Sequence, residues 1–294
     1  MAAMSKGSAS ALCLAAAALL ALGVQPATAA KKKPAKPGKV KTATATATTT
    51  ANGQVVAATA TCPKGTTAVG GGFFLAAVAG GGILSDLNLI SESTRASARS
   101  WRVTAVRFDN GAAGPSLPVT ADAYCRSKPG KISVTRASES VTGTGFLDPV
   151  AACPVGRSAV SGGFLASAGS ASDLLLIGGG PVGSVGWQQT GLSQGSASLE
   201  SQIHCIKRKK APVARTAAIT TAPSFGIIAS AVTPACPAKL IPFGGGYAGP
   251  PFAVAGGGAA GLPLESRRSG SSWRVSTVNL TAAALQLTVT GVCS

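Results

Sequence analysis

The sequence predicts an all-β protein made of three tandem, disulfide-stapled repeats. The first observation is a recurring order of landmarks. Cys62-Pro63-Lys64-Gly65, Cys153-Pro154-Val155-Gly156 and Cys236-Pro237-Ala238-Lys239 each lead to a glycine-rich stretch and an aromatic residue eleven positions after the Cys: Phe73, Phe164 and Tyr247. A Trp follows each (Trp101, Trp187, Trp273), then a second Cys (Cys125, Cys205, Cys293). The second observation is local composition. Segments are short, rich in Thr, Val and Ile, and broken by Gly, Pro, Ser and Asn, which is a strand-and-turn pattern. The third is the want of any amphipathic helical period after the first thirty residues.

Taken in order, residues 1–30 read as a secretory signal peptide. Lys6 gives a weakly positive start, Ala11–Val24 is small and apolar, and Ala27-Thr28-Ala29 fits a small-x-small cleavage site. The apolar run falls short of the roughly 20 residues a membrane span needs. Residues 31–41 form a basic leader with Lys31, Lys32, Lys33, Lys36 and Lys39, broken by Pro34 and Pro37. Repeat 1 covers 42–125, a linker 126–131, repeat 2 132–205, a basic linker 206–212 with Lys207, Arg208, Lys209 and Lys210, and repeat 3 213–294.

Within repeat 1 the pattern predicts strands near 42–50, 54–61, 66–75, 86–95, 101–109 and 117–124. Asn52-Gly53 predicts a tight turn between the first two, because both residues tolerate positive φ. Ser85-Asp86-Leu87 aligns with Ser172-Asp173-Leu174, and Trp101-Arg102-Val103 with Trp273-Arg274-Val275, while repeat 2 has Trp187-Gln188-Gln189. In a strand, Trp101 and Val103 share a face and Arg102 takes the other. The Trp is thus expected in the core, and the glycine runs at bulges or where backbones pass closely. The repeats fold either as small sandwiches or barrels in series, or as one β assembly about a pseudo-threefold axis.

Export changes the reading of the cysteines. Removing Cys13 with the signal peptide leaves six, an even number outside the reducing cytoplasm, which predicts disulfides. Two patterns respect the repetition. One pairs within repeats, Cys62–Cys125, Cys153–Cys205 and Cys236–Cys293, and needs the strand before each Cys-Pro to lie beside the last strand of its own repeat. The other pairs Cys125–Cys153, Cys205–Cys236 and Cys293–Cys62 and needs a closed ring. The first is expected, because the basic joints begin right after Cys125 and Cys205. Closing a loop of about 64 residues is worth roughly 4 kcal/mol on the chain-entropy model, comparable to the net stability of a small domain.

Chemistry is sparse. No two mature cysteines stand at zinc-ligand spacing. Gly70-Gly71-Gly72 and Gly178-Gly179-Gly180 lack the helix start and Lys-Ser/Thr pair of a phosphate loop, so neither nucleotide nor other cofactor is expected. The one histidine, His204, flanks Cys205, where the other repeats have Tyr124 and Val292, and reads as the end of a strand. The nine acids are scattered, and no catalytic residue is assigned.

The net charge of +17, or +16 without Lys6, points instead to anionic partners. Six, three and four of the 26 Lys and Arg lie in the leader and the two linkers. Such joints act as solvated spacers, and they attract anionic polymers. The Cys-Pro-x-Gly, Gly-Gly-Gly-aromatic, Trp-x-Val and closing-Cys pattern resembles a class of uncharacterised secreted proteins of high-GC actinobacteria. The resemblance implies export and a β-rich repeat and carries no activity. The expectation is a non-enzymatic envelope or extracellular binding protein attracted to anionic wall polymers. The alternative is a carbohydrate-recognition module with one weak site per repeat, where Trp101, Trp187 and Trp273 stack on sugar rings.

Overall fold

The computed structural model describes residues 40–80, 83–109, 114–169, 173–207, 211–221, 224–248 and 261–294. Residues 1–39, where the signal peptide and most of the basic leader are expected, lie outside them, as do Arg208, Lys209 and Lys210. Every regular element of the described residues is a strand. Repeat 1 holds β1 (Val40–Thr49), β2 (Val55–Thr61), β3 (Thr67–Leu75), β4 (Ala77–Gly80), β5 (Ile83–Thr94), β6 (Ser100–Asp109) and β7 (Leu117–Arg126). Repeat 2 holds β8 (Ile132–Val141), β9 (Gly145–Leu147), β10 (Val150–Ala152), β11 (Ser158–Ala168), β12 (Leu174–Val182), β13 (Gly186–Ser193) and β14 (Ala197–Ile206). Repeat 3 holds β15 (Val213–Thr220), β16 (Ile228–Val232), β17 (Pro242–Ala248), β18 (Gly261–Ser269), β19 (Ser272–Asn279) and β20 (Gln286–Cys293).

The repeats do not close as separate sandwiches or barrels. Each gives three strands to one sheet and three to another, and repeats 1 and 2 each add a short fourth strand, β4 beside β5 and β9 beside β13. The 1/2 sheet runs β2-β6-β5-β11-β14-β8, the 2/3 sheet β10-β13-β12-β17-β20-β15, and the 3/1 sheet β1-β7-β3-β18-β19-β16. Repeat 3 therefore pairs back onto repeat 1, and the described repeats do not separate into further units. The three seams are equivalent. Phe164 faces Ser93, Tyr247 faces Gly179 and Phe73 faces Ser266, each with one further pair beside it.

This closure explains the repeat's glycines. At the first glycine-run position the ladder slips by one residue, after Ala68, Ala159 and Pro242, so all three strands carry a β-bulge there. The residues after the bulge, Gly70, Ser161 and Gly244, meet each other: a Cβ on Gly70 would overlap the Phe243 carbonyl, and one on Gly244 would overlap Ser161. The next residue lies flat against the repeat's own tryptophan, where a Cβ on Gly71, Gly162 or Gly245 would run into the indole of Trp101, Trp187 or Trp273. The third, Gly72, Gly163 or Gly246, lies under the backbone of the neighbouring repeat at the seam.

The disulfides pair within repeats, Cys62–Cys125, Cys153–Cys205 and Cys236–Cys293, with Cα separations of 5.4, 5.7 and 5.6 Å. The expected reason for that pairing needs correction. Cys62 follows β2, the edge of the 1/2 sheet, while Cys125 lies in β7 of the 3/1 sheet, so the bond joins two sheets and not two neighbouring strands. The tight turn expected at Asn52-Gly53 is present, closed by Gln54 N donating to Ala51 O at 3.1 Å. Gly53 has its positive φ of 70°, but β1 and β2 enter different sheets, and the turn is held to β6 by Gly53 N donating to Arg107 O.

Candidate functional site

Trp101, Trp187 and Trp273 are 1, 2 and 1% exposed. They cannot serve as sugar platforms, which corrects that alternative: the facing glycine draws each indole flat into the interior. Each Trp meets the pre-cysteine residue of the next repeat. Trp101 packs edge-on to His204 with centroids 5.4 Å apart, Trp273 likewise to Tyr124 at 5.9 Å, and Trp187 shares its cluster with Val292. The indole N–H of Trp101 donates to Ser93 Oγ at 3.0 Å, and that of Trp273 to Ser266 Oγ at 3.1 Å. Repeat 2 has Gly179 at this place, and Trp187 Nε1 is buried without a partner.

His204 is more than a strand end. It is fully buried, and its Nδ1 lies 2.9 Å from Ser161 Oγ. Ser161 donates to Val69 O at 2.8 Å, so Nδ1 must carry the proton that Ser161 accepts. Burial, and then the charges of Arg95 and Arg136, push the imidazole down to about 3. Ser161 is itself 0% exposed and its proton is spent on a carbonyl, so the pair ties repeat 2 to repeat 1 and presents no reactive hydroxyl. Asp86, the acid that recurs in the alignment, holds the buried Arg107 at 2.6 Å, and Arg107 Nη1 donates to Pro115 O at 2.7 Å.

The surface feature that stands out is charge, sorted by end. All strands run antiparallel, and the three disulfides mark the same end of their sheets. Cys125 pairs with Lys41 and Ala68, Cys205 with Ser133 and Ala159, and Cys293 with Val213 and Pro242. Val40, Val69, Tyr124, Ile132, Ile241 and Phe243 from all three repeats share one cluster there. Cations around it include Lys41, Lys64, Arg95, Arg99, Arg126, Lys128, Lys131, Arg157, Lys207, Lys239 and Arg268, the last over the Tyr124 ring. No carboxylate of the described residues pairs with any of them.

Several are fixed by backbone acceptors. Arg99 Nη2 donates to Cys62 O at 2.6 Å, Arg95 Nε to Ala68 O at 2.9 Å, and Arg157 Nη1 to Lys131 O at 2.9 Å. Arg126 lies over the Phe243 ring at 5.5 Å. Lys41, Lys64, Arg99, Lys128, Lys131, Lys207 and Lys239 are exposed. At the opposite end stand Asp86, Asp109, Glu139 and Asp173, with the buried Arg107 as the single cation of the described residues, and the connections there contain no Lys or Arg in sequence.

The strands that follow the basic joints start at the same end. β1 starts at Val40, β8 at Ile132 and β15 at Val213, so the leader and both linkers join the sheets there. They do not space the repeats apart, because the repeats share sheets. Of the lysines expected to bind polyanions, Lys207 is placed at this end, and Lys31, Lys32, Lys33, Lys36, Lys39, Arg208, Lys209 and Lys210 lie outside the described residues in chain segments attached to it. Lys128 and Lys131 were counted with the first linker, but sequence reasoning passed over Lys64, Arg99 and Lys239. The signal was present, since each stands within six residues of a cysteine or of the loop bonded to one.

No protein-family model matches the chain, and no curated protein matches it significantly. No helix of the described residues is long and apolar enough to cross a membrane. Three disulfides fit an oxidising compartment.

Proposed function

We propose that this is an exported, non-enzymatic binding protein of the cell envelope that holds to an anionic polymer, such as a phosphate-bearing wall polymer, through its disulfide end. The observation that carries the reading is the gathering of cations without carboxylate partners, Lys41, Lys64, Arg99, Lys128, Lys131, Lys207 and Lys239 among them, on the disulfide end of a three-sheet body. Lysine ammonium groups on exposed turns are mobile point charges suited to a repeating phosphate backbone rather than to one shaped ligand. Their low-dielectric support focuses the field along one axis and orients the body on the polymer. The closed sheet system and the disulfides keep the end rigid without metal or cofactor.

The test is binding of the secreted chain to immobilised wall teichoic acid and to polyphosphate across a salt series. Release of counterions predicts a log-linear fall in affinity. Six to ten phosphate contacts would lose about 10³–10⁵-fold between 50 and 200 mM salt, by analogy with nucleic-acid binding. An affinity that stays flat over that range overturns the proposal.

A further inference from the structure

We propose that the outer face of the 2/3 sheet is a binding groove for an uncharged, hydroxyl-rich ligand, a neutral oligosaccharide chain. The inference does not rest on the polyanion reading, which concerns the other residues at the disulfide end.

The three outer faces differ at one equivalent place beside the seam. On the 1/2 sheet, Glu92 fills it: Arg102 donates to its carboxylate at 2.7, 2.8 and 2.9 Å, Thr94 at 2.6 Å and Thr104 at 2.7 Å. On the 3/1 sheet, Glu265 fills it, bonded by Arg267 at 2.7 Å and Ser276 at 2.7 Å, with Arg274 at 3.4 Å. Register puts Gly178, Gln188 and Thr190 where Glu92, Arg102 and Thr104 stand. The 2/3 sheet thus has no carboxylate at the Glu92 position and no guanidinium at the Arg102 position, and its floor there is bare backbone at Gly178 and Gly180.

Neither packing nor backbone requires that glycine. Gly178 has no positive φ, and a Cβ on it would meet nothing closer than the Tyr247 carbonyl at 3.4 Å. The vacated place opens a cleft of about 560 Å³ over Gly178-Gly179-Gly180, walled by Phe146, Gln188, Thr190, Tyr247, Thr288 and Thr290. It crosses five strands from β9 to β20. At about 4.8 Å per strand that is roughly 19 Å, the length of a short chain molecule and not of a single small one.

The lining selects the ligand class. It offers one amide and three threonine hydroxyls, of which that of Thr290 also lies 3.3 Å from Thr216 Oγ1, beside the apolar Pro181, Val182 and Ala248. The acid beside it, Asp148, already accepts from Thr190 Oγ1 at 2.7 Å. An anionic chain would meet no cation here, and an alkyl chain would strip water from hydroxyls it cannot bond. An added peptide strand would need a free sheet edge, whereas this groove crosses the face. Phe146, 55% exposed at the rim, provides a flat apolar surface among hydroxyl partners, the pairing that a sugar ring with its C–H face and equatorial hydroxyls uses.

The experiment titrates the full secreted chain with a panel of neutral glucan, mannan and chitin oligosaccharides, in low and high salt, by calorimetry. Wild-type protein should bind at least one member saturably and with an affinity unaffected by salt. Gly178→Glu with Gln188→Arg copies the arrangement that repeats 1 and 3 already carry, and should weaken that binding at least tenfold while the melting temperature holds. Phe146→Ala, at an exposed site, should weaken it severalfold. Absence of binding to every member, or binding that the double variant leaves intact, overturns the proposal. Salt-sensitive polyphosphate binding should persist in both variants, so the failure of one reading is distinct from failure of the other.

Discussion

Replacing His204 by Val should remove a defined part of the protein's acid sensitivity. Val is the residue that repeat 3 carries at the equivalent place, Val292, so the core accommodates it. The imidazole is held down at about 3, by burial first and by Arg95 and Arg136 next, against 6.5 when unfolded. Below pH 6.5 the unfolded chain takes up a proton that the folded chain refuses. Folded stability is therefore full above 6.5 and falls by about 1.4 kcal/mol per pH unit until the folded value near 3 is reached. Glu92 adds acid lability of its own. Burial would raise its carboxyl, but hydrogen bonds from Arg102, Thr94 and Thr104 outweigh that and hold it below 4.5, so its contribution enters beneath that pH. The window from 6.5 to 4.5 isolates the histidine, and over it wild type should lose about 2 kcal/mol that His204→Val does not. Urea midpoints at pH 7, 6.5, 5.5 and 4.5 read this directly. Parallel losses in the two proteins would refute the buried, neutral histidine.

Three further outcomes follow from the same packing. Gly179→Ser with Gln189→Val copies repeat 1 and gives Trp187 Nε1 the hydroxyl it lacks, so chemical denaturation should show a gain of about 1–2 kcal/mol; a loss would mean that the Trp187 pocket differs from its two counterparts. Trp101→Ala should cost about 3–5 kcal/mol by the same measurement, since it empties a site walled by Gly71 and His204, and an unchanged melting point would contradict the burial. Repeat 1 expressed alone, residues 42–125, should give a collapsed amide NMR spectrum, because β3 and β5 each lose a neighbouring strand and Trp101 loses His204; a dispersed spectrum would show that the repeats are self-sufficient.

Much of this fold was legible in the residues. The strands expected in repeat 1 fall within about three residues of β1, β2, β3, β5, β6 and β7, because Thr/Val alternation and Gly or Pro breaks are local signals. Cysteine pairing and Trp burial followed from repetition. The glycines were read as bulges or close approaches, and they turn out to be both at successive positions. Sheet membership was not legible. Nothing local to Asn52-Gly53 distinguishes a hairpin from a turn that hands the chain to another sheet, since the decision lies with β6 and β7 more than forty residues later. The role of His204 was hidden for the same reason: Ser161 reaches it only through the β11–β14 pairing. The cationic end was half visible. The joints announced their charge, but only the shared sheets bring them to one place.

The measurement that bears most directly on the central claim compares two ways of lowering the net charge by four. One variant changes Lys64, Lys128, Lys131 and Lys239 to Gln at the disulfide end. The other changes Ala51, Ser116, Thr142 and Thr144 to Glu on exposed positions toward the opposite end. Binding to immobilised polyphosphate is followed across a salt series for both. If the disulfide end makes the contacts, the first variant loses affinity and its log–log salt slope drops by roughly three, while the second keeps the wild-type slope. Equal losses in the two variants would show that binding follows net charge alone and would contradict an oriented polyanion-binding end.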